Sequence, residues 1–415
     1  MGKKIGTRFS LSKDKIRILL LEGIHENALS YFDANGYKNV EYIKSSLDNV
    51  QLLKKIKNVH MVGIRSRTQL SEEVLEQAKF LIAIGCFSIG TNQVDLDAAK
   101  RKGIPVFNAP FSNTRSVAEL VISECIQLMR RIPEKNQAAH EGRWLKDASS
   151  SFEVRGKNLG IVGYGHIGSQ VSILAESFGM NVFYYDIEKK LSLGNAKSCA
   201  SLQELLTKAD VVTLHVPDTE LTRNMITRKE LLMMVKGSSL INASRGTVVN
   251  IRDLSDSLES GHIAGAAVDV FPKEPASNKE TFISPLQKFP NVILTPHIGG
   301  STVEAQSSIA LEVSEKLVKY SDVGSTIGAT NFVEVSLAPN FDKQRYLHIH
   351  ENKPGMLNSI SRVFVSRKLN IASQYLQTDA STGYVIIDID NKTNSSEILK
   401  ELRSIPGTIK ARVLF

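Results

Sequence analysis

Three residues in the second half of the chain are of types that do acid–base and carboxylate chemistry, and each follows an apolar run. Leu240 to Asn242 leads into Ala243, Ser244 and Arg245; Ala266 to Val270 leads to Glu274; Val292 to Thr295 leads to Pro296 and His297. A guanidinium forks onto a carboxylate in one plane. An imidazole beside a carboxylate is held in one tautomer and kept basic near neutral pH. Beside a hydride acceptor, such a trio suits oxidation of a 2-hydroxy acid: the acid is clamped, the hydroxyl proton is taken, and hydride leaves. Singly, each reads as a surface ion pair or a satisfied histidine; three at successive strand ends read as a site.

A second stretch carries chemistry of another kind. In GIVGYGHIG, from Gly160 to Gly168, Gly163 permits a tight turn, Gly165 lets backbone approach a pyrophosphate, and Gly168 lets a helix pack on its strand. The amides of His166 and Ile167 then face the anion from the helix N-terminus; the ring of His166 reads as exposed, with no role. Asp186 closes the next apolar run, eighteen residues past Gly168. A carboxylate there accepts from both ribose hydroxyls and repels a 2'-phosphate, which favours NAD over NADP. The competing readings are a ligand-free glycine turn and an aspartate that caps the next segment. Asp269, inside the fifth apolar run, reads equally as a buried structural acid or as a neighbour of the nicotinamide carboxamide.

These residues need a scaffold. Leu159 to Val162, Val182 to Tyr185, Val211 to His215, Leu240 to Asn242, Ala266 to Val270 and Val292 to Thr295 alternate with helical patterns, which predicts a doubly wound parallel sheet with ligands outside the carboxyl ends of its strands. Residues Ile16 to about Phe111 have their own runs, at Ile16 to Leu21, Met61 to Ile64 and Leu81 to Ile84, without a glycine fingerprint. Between the two lies SNTRSVAELVISECIQLMRR. Ser116 and Glu119 have capping-box spacing, and Val117, Leu120, Val121, Cys125 and Leu128 share a helical face that could cross between domains. Glu124 interrupts that face, either at its edge or paired inside it. The last seventy or so residues read strand, helix, strand, strand, helix, strand, a ferredoxin-like order.

Composition limits the function classes. The chain has 415 residues, 42% apolar and 23% charged, enough for two or three cores. The formal charge of +8 is spread without a dense basic run, which disfavours nucleic acid. No apolar run is long enough for a bilayer. Cys86, Cys125 and Cys199 are far apart, with neither disulfide-framework nor metal spacing. A cytoplasmic, reducing setting without a metal is expected.

GYGHIGSQ, LINASRGTVV, GAAVDVFPKEPA and NVILTPHIGGST resemble the D-isomer-specific 2-hydroxyacid dehydrogenase family, over nearly the whole chain after the first dozen residues. The resemblance implies two doubly wound parallel-sheet domains: a discontinuous substrate domain and a Rossmann-like NAD domain. It also implies a C-terminal ferredoxin-like ACT domain, which HIHENKPGML and LNIASQYLQT resemble. The expected boundaries are 12–112 and 300–341 for the substrate domain, 113–299 for the NAD domain and 342–415 for the ACT domain. The family's catalytic trio falls on Arg245, Glu274 and His297. Its cofactor contacts fall on His166, Ile167, Asp186, Ala243, Ser244, Asp269, Ile298, Gly299 and Gly300, beside the Gly163, Gly165 and Gly168 turn read above.

Within the family, the likeness is greatest to the branch that oxidises 3-phospho-D-glycerate to 3-phosphohydroxypyruvate with NAD, the entry to serine synthesis. A phosphoryl group needs cations beyond the one that holds the carboxylate. GIRSRTQL supplies Arg65 and Arg67, and EGRWLKD supplies Lys146, which the resemblance places at a neighbouring subunit's site beside Trp144. Asn113 and Gln306 match further polar positions of the substrate cleft. The serine effector's contacts fall on His350, Asn352 and Asn370, with pairs of ACT domains joined edge to edge in a homo-oligomer, a tetramer. Relatives carry a Gly-Gly pair in the linker that here reads SLAPNFDKQR with Pro339, so weaker feedback is expected. Two other readings stand beside this one: a dehydrogenase for another 2-hydroxy acid such as 2-hydroxyglutarate, and a non-catalytic NAD-sensing interaction protein.

Overall fold

Runs apolar at every position form parallel strands here because helices cover both sheet faces. The computed structural model describes residues 11–275, 280–339, 342–390 and 395–414. They form two compact units: one of the residues up to Ser112 with those from Gln306 on, the other Asn113–Ala305.

In the first unit, β1 (Arg17–Leu20), β2 (Asn39–Tyr42), β3 (Met61–Ile64), β4 (Ala83–Cys86) and β5 (Val106–Phe107) make a parallel sheet of order β2-β1-β3-β4-β5. Alternate residues serve opposite cores: Ile18, Leu20, Met61 and Ala83 on one face, Leu19, Val62, Ile64 and Ile84 on the other. The returning helix Val303–Val323 lays Ile309, Val313, Leu317 and Tyr320 into the first core. It lies so close to β4 that a Cβ on Gly85 would come within 2.8 Å of Val313. Strand order reverses between β1 and β3, which opens a crevice at their carboxyl ends; Arg65 and Arg67 follow β3 there.

In the second unit, β6 (Asn158–Val162), β7 (Asn181–Tyr185), β8 (Lys197–Ser198), β9 (Val211–Leu214), β10 (Ser238–Asn242), β11 (Ile263–Val268) and β12 (Val292–Leu294) form a parallel sheet of order β12-β11-β10-β9-β6-β7-β8. The reversal lies between β6 and β9. Leu159, Ile161, Val211 and Ile241 face one core, Val162, Val212, Leu240 and Val268 the other.

The predicted strands are present, with differences at their ends. β11 stops at Val268, so Asp269 lies just beyond the strand and not within it. The helix Thr114–Met129 has Asn113 as its N-cap residue, so Ser116 and Glu119 are inside it and form no capping box. Ser116 instead bonds the Thr302 hydroxyl and Glu119 pairs with Arg115. The helix starts at the boundary of the second unit and stays within it. Glu124 is neither at the stripe's edge nor paired: it is 1% exposed, and both carboxyl oxygens lack partners among the described residues. Burial, with the nearby charge of Asp269, pushes it up to about 8, so it is protonated at neutral pH.

The C-terminal module belongs to the first unit. β13 (Gln344–Glu351), β14 (Ile371–Thr378), β15 (Thr382–Ile389) and β16 (Thr408–Val413) form an antiparallel sheet of order β14-β15-β13-β16. One face carries the helices Met356–Val365 and Ser395–Ser404; from the other, Leu347, Ile349, Tyr384 and Ile386 join the first core. The buried Arg345 guanidinium donates to both oxygens of Asp388, each at 2.7 Å, and to the carbonyls of Val323, Leu337 and Ala338. Pro339 of the linker is exposed; Asn340 and Phe341, also in the expected hinge, lie outside the described residues. No helix among the described residues is long and apolar enough to cross a membrane.

Candidate active site

The loop after β10 is shaped by the strand's own last residue. Buried Asn242 accepts from the Ser244 amide (3.1 Å) and hydroxyl (2.9 Å) through Oδ1, and its Nδ2 donates to the Arg245 carbonyl at 3.0 Å. Next to it, Gly246 packs directly on the stretch that follows β11: a Cβ there would lie 2.0 Å from the Phe271 carbonyl carbon. Two loops that each carry a charged side chain are thereby pressed together. The Phe271 amide in turn donates to Glu274 Oε1 at 3.1 Å.

His297 completes the group. Its Nδ1 lies 2.9 Å from Glu274 Oε2 and 3.1 Å from Oε1. A carboxylate only accepts, so Nδ1 carries the proton and Nε2 presents its lone pair. The hydrogen bond to Glu274 raises the proton affinity of the imidazole against the opposing effect of burial. Desolvation lowers the Arg245 pKa, opposed by Asp218 and Glu274; the positive charge of Arg245 in turn lowers the proton affinity of Glu274 and His297. The three residues therefore occupy one electrostatic neighbourhood at the carboxyl ends of adjacent strands.

Asp269 builds the turn that aims His297. The backbone of His297 is left-handed (φ 56°), a conformation a non-glycine residue holds only when its surroundings fix it. The Asp269 carbonyl accepts from the His297 amide at 2.8 Å; its carboxylate accepts from Thr295 Oγ1 (2.6 Å) and the amides of Ile298 (2.7 Å) and Gly299 (2.8 Å). Asn113, buried, faces Gly300 so closely that a Cβ there would sit 2.5 Å from Nδ2, and its Oδ1 has no partner among the described residues.

The glycine turn sits at the reversal between β6 and β9. Gly163 (φ 90°) and Gly168 are demanded by the protein itself: a Cβ would lie 2.4 Å from the His215 carbonyl oxygen and 2.2 Å from that of Gly163, respectively. Gly165 is different, since a Cβ there would meet only open space. Its bare backbone and the N-terminus of the helix His166–Ser177 form a cradle that suits a pyrophosphate. His166 is exposed and Ile167 half-buried. Asp186 accepts from the Tyr164 amide at 2.7 Å and the Glu188 amide at 2.9 Å, so it braces the turn and keeps further lone pairs for hydroxyl donors.

In the first unit, Arg65 and Arg67 leave β3 on a loop held by Glu22, which sequence reasoning missed. Glu22 Oε1 accepts from the amides of Arg65 (3.2 Å) and Thr68 (2.8 Å), and Oε2 from that of Arg67 (2.9 Å). Gln93 Nε2 donates to the Arg65 carbonyl at 2.5 Å. Desolvation lowers the Arg65 pKa, Glu22 opposes this, and Arg67 adds to it. Gln306 is on the returning helix of the same unit. Lys146 lies in the second unit on an exposed stretch with Trp144, which is 84% exposed.

His350 and Asn352 share one end of the C-terminal sheet; Asn352 Nδ2 donates to the Asp379 carbonyl at 2.6 Å. Asn370 does not join them. It precedes Ile371, which pairs through Ile389 with Gln344, whereas His350 pairs with Gly383. Six residues of strand separate the two ends, about 20 Å, and Asn370 bonds Asp390 there.

Against known proteins, the family model described as D-isomer specific 2-hydroxyacid dehydrogenase, NAD binding domain, matches residues 122–299, and that of an AHAS small subunit-like ACT domain matches residues 347–410. The chain is similar to a D-3-phosphoglycerate dehydrogenase of Escherichia coli K12, 58% identical over 409 residues that cover 98% of this chain and 100% of the relative. The enzyme of the same name from Haemophilus influenzae is 57% identical over 408 residues, 98% and 99% of the two chains. Among solved structures, D-lactate dehydrogenase from Aquifex aeolicus, complexed with NAD and lactic acid, superposes with a TM-score of 0.66 at 28% identity, covering 74% of this chain and 95% of that one. The chain belongs to the D-isomer specific 2-hydroxyacid dehydrogenase family.

Proposed function

We propose that the chain catalyses the NAD-dependent oxidation of 3-phospho-D-glycerate to 3-phosphohydroxypyruvate, the first step of serine synthesis. The carrying observation is the contact of His297 Nδ1 with both Glu274 oxygens beside Arg245, which leaves Nε2 as a base. In this reading Arg245 clamps the substrate carboxylate, His297 Nε2 takes the hydroxyl proton, and Glu274 stabilises the imidazolium that forms. NAD, when bound, supplies the hydride acceptor. Gly163, Gly165, Gly168 and the amides of His166 and Ile167 would hold its pyrophosphate, Asp186 its ribose, and Ala243, Ser244, Asp269 and Ile298 to Gly300 its nicotinamide end.

Arg65 and Arg67 bind the phosphoryl group in this reading. Lys146 of a second copy adds a further cation, and Asn113 and Gln306 add polar contacts. The protein acts in the cytoplasm as a homotetramer with the domain boundaries expected above. L-Serine binds between two ACT domains, at His350 and Asn352 of one and Asn370 of the other. The linker without a Gly-Gly pair weakens its inhibition; a steep inhibition curve at low serine would count against that weakening.

The test is the initial rate of NADH formation from 3-phosphoglycerate and from 2-hydroxyglutarate, with and without serine, in wild type and Arg65→Ala. A phosphate site predicts the larger loss for the phosphorylated substrate, about tenfold or more in kcat/KM. Equal losses would favour 2-hydroxyglutarate.

A further inference from the structure

His350 has a neighbour on its own strand that the serine reading does not use. His348 and His350 point to the same face of β13, and their Nδ1 atoms lie 3.3 Å apart. Two like nitrogens in contact require one to donate and the other to accept. The far side of His348 decides which. Its Nε2 lies 2.9 Å from Thr408 Oγ1 and 3.4 Å from the Leu402 carbonyl oxygen. The Thr408 hydroxyl spends its proton on that same carbonyl, at 2.9 Å, so both neighbours of His348 Nε2 are acceptors.

The protons are then assigned in order. His348 carries hydrogen on Nε2 and offers Nδ1 as an acceptor. His350 fills it with hydrogen on Nδ1, and its own Nε2 is left as a lone pair. Burial lowers the proton affinity of both rings, His348 to about 4, so both are neutral and the assignment is not blurred by a second proton. That Nε2 lies against Gly383, where a Cβ would come within 2.3 Å of it, so the ring edge takes the place a side chain would fill.

We propose that the chain Leu402 carbonyl, Thr408, His348, His350 locks His350 in the tautomer with a bare Nε2, so that its effector must present a hydrogen donor, an ammonium or a hydroxyl, to this residue. His348 and Thr408 are thus positioning residues for effector specificity. The inference deepens the serine-binding reading above and rests on it for the identity of the ligand.

Two measurements on the full-length protein separate the two. Nitrogen-15 ring shifts of histidine-labelled protein, assigned with His348→Gln and His350→Asn, report the tautomers without any ligand. Hydrogen on Nδ1 of His350 and on Nε2 of His348 is expected; hydrogen on Nε2 of His350, or a doubly protonated ring at neutral pH, overturns the proposal. Calorimetry with L-serine then compares Thr408→Val and Thr408→Ser with wild type. The valine variant is expected to mix the tautomers of His350 and weaken serine about tenfold, and the serine variant to stay within about twofold. Unchanged affinity in Thr408→Val, with wild type binding, also overturns it. Absence of serine binding by wild type with the tautomers as assigned sinks the serine reading and leaves the ring assignment standing.

Discussion

At the scale of single residues, the bond from His297 to Glu274 has a direct consequence for pH. A hydroxyl proton is taken only by neutral imidazole, so oxidation rises with pH as His297 loses its proton. Glu274 raises the affinity of His297 for that proton, which puts the acid limb above the ordinary histidine range. Glu274→Gln is expected to move that limb to lower pH and to cut kcat/KM by about a hundredfold, because the tautomer is no longer held. The pH profile of kcat/KM for 3-phosphoglycerate checks this; a limb that stays in place would show that Glu274 does not set it. All three members of the trio were legible as types at strand ends. The bonds that aim them were not, because Asn242 and Gly246 act through loop backbone that no periodicity marks.

At the scale of elements, the glycine turn separates residues the fold needs from one a ligand needs. Gly168→Ala drives a Cβ into the Gly163 carbonyl and is expected to cost about 1–3 kcal/mol of stability. Gly165→Ala meets only open space, so stability should change by less than about 0.5 kcal/mol while NAD affinity falls about tenfold or more. Thermal unfolding and NAD titration of both variants check the contrast. In the other unit, Glu22 holds three amides, those of Arg65, Arg67 and Thr68, in the loop bearing the two arginines. Glu22→Ala is expected to raise KM for 3-phosphoglycerate about tenfold with KM for NAD unchanged, read from steady-state kinetics. A lone acid straight after a leucine-rich strand was the available signal for Glu22, and its left-handed backbone (φ 64°) marks it in the structure.

At the scale of the whole molecule, the ACT module is anchored by a buried charge. Arg345 and Asp388 are both almost wholly removed from solvent. Replacing Arg345 leaves Asp388 buried without its partner and frees the carbonyls of Leu337 and Ala338. Arg345→Met is expected to lose about 3–5 kcal/mol, and the double variant Arg345→Met, Asp388→Leu to recover most of it; guanidinium unfolding midpoints of the three proteins decide. A single-variant midpoint equal to wild type would show that the ion pair does not hold the module. At the same scale, Asn370 and His350 lie about 20 Å apart on one sheet, so an effector that touches both needs two copies of the module.

The order of apolar runs along the chain determined the doubly wound sheets and the ferredoxin-like tail, because a run buried on both faces or on one carries its period in its own residues. The glycine spacing, Asp186 and the charged residues after β10, β11 and β12 were likewise legible, since strand ends place them along one edge. Tertiary structure alone decided what those residues touch. It put Asp269 under the His297 turn, buried Glu124 with no partner among the described residues, took Ser116 out of its expected cap, and set Asn370 far from His350. Such outcomes depend on the register between strands and on contacts between loops distant in the chain, which local spacing does not encode.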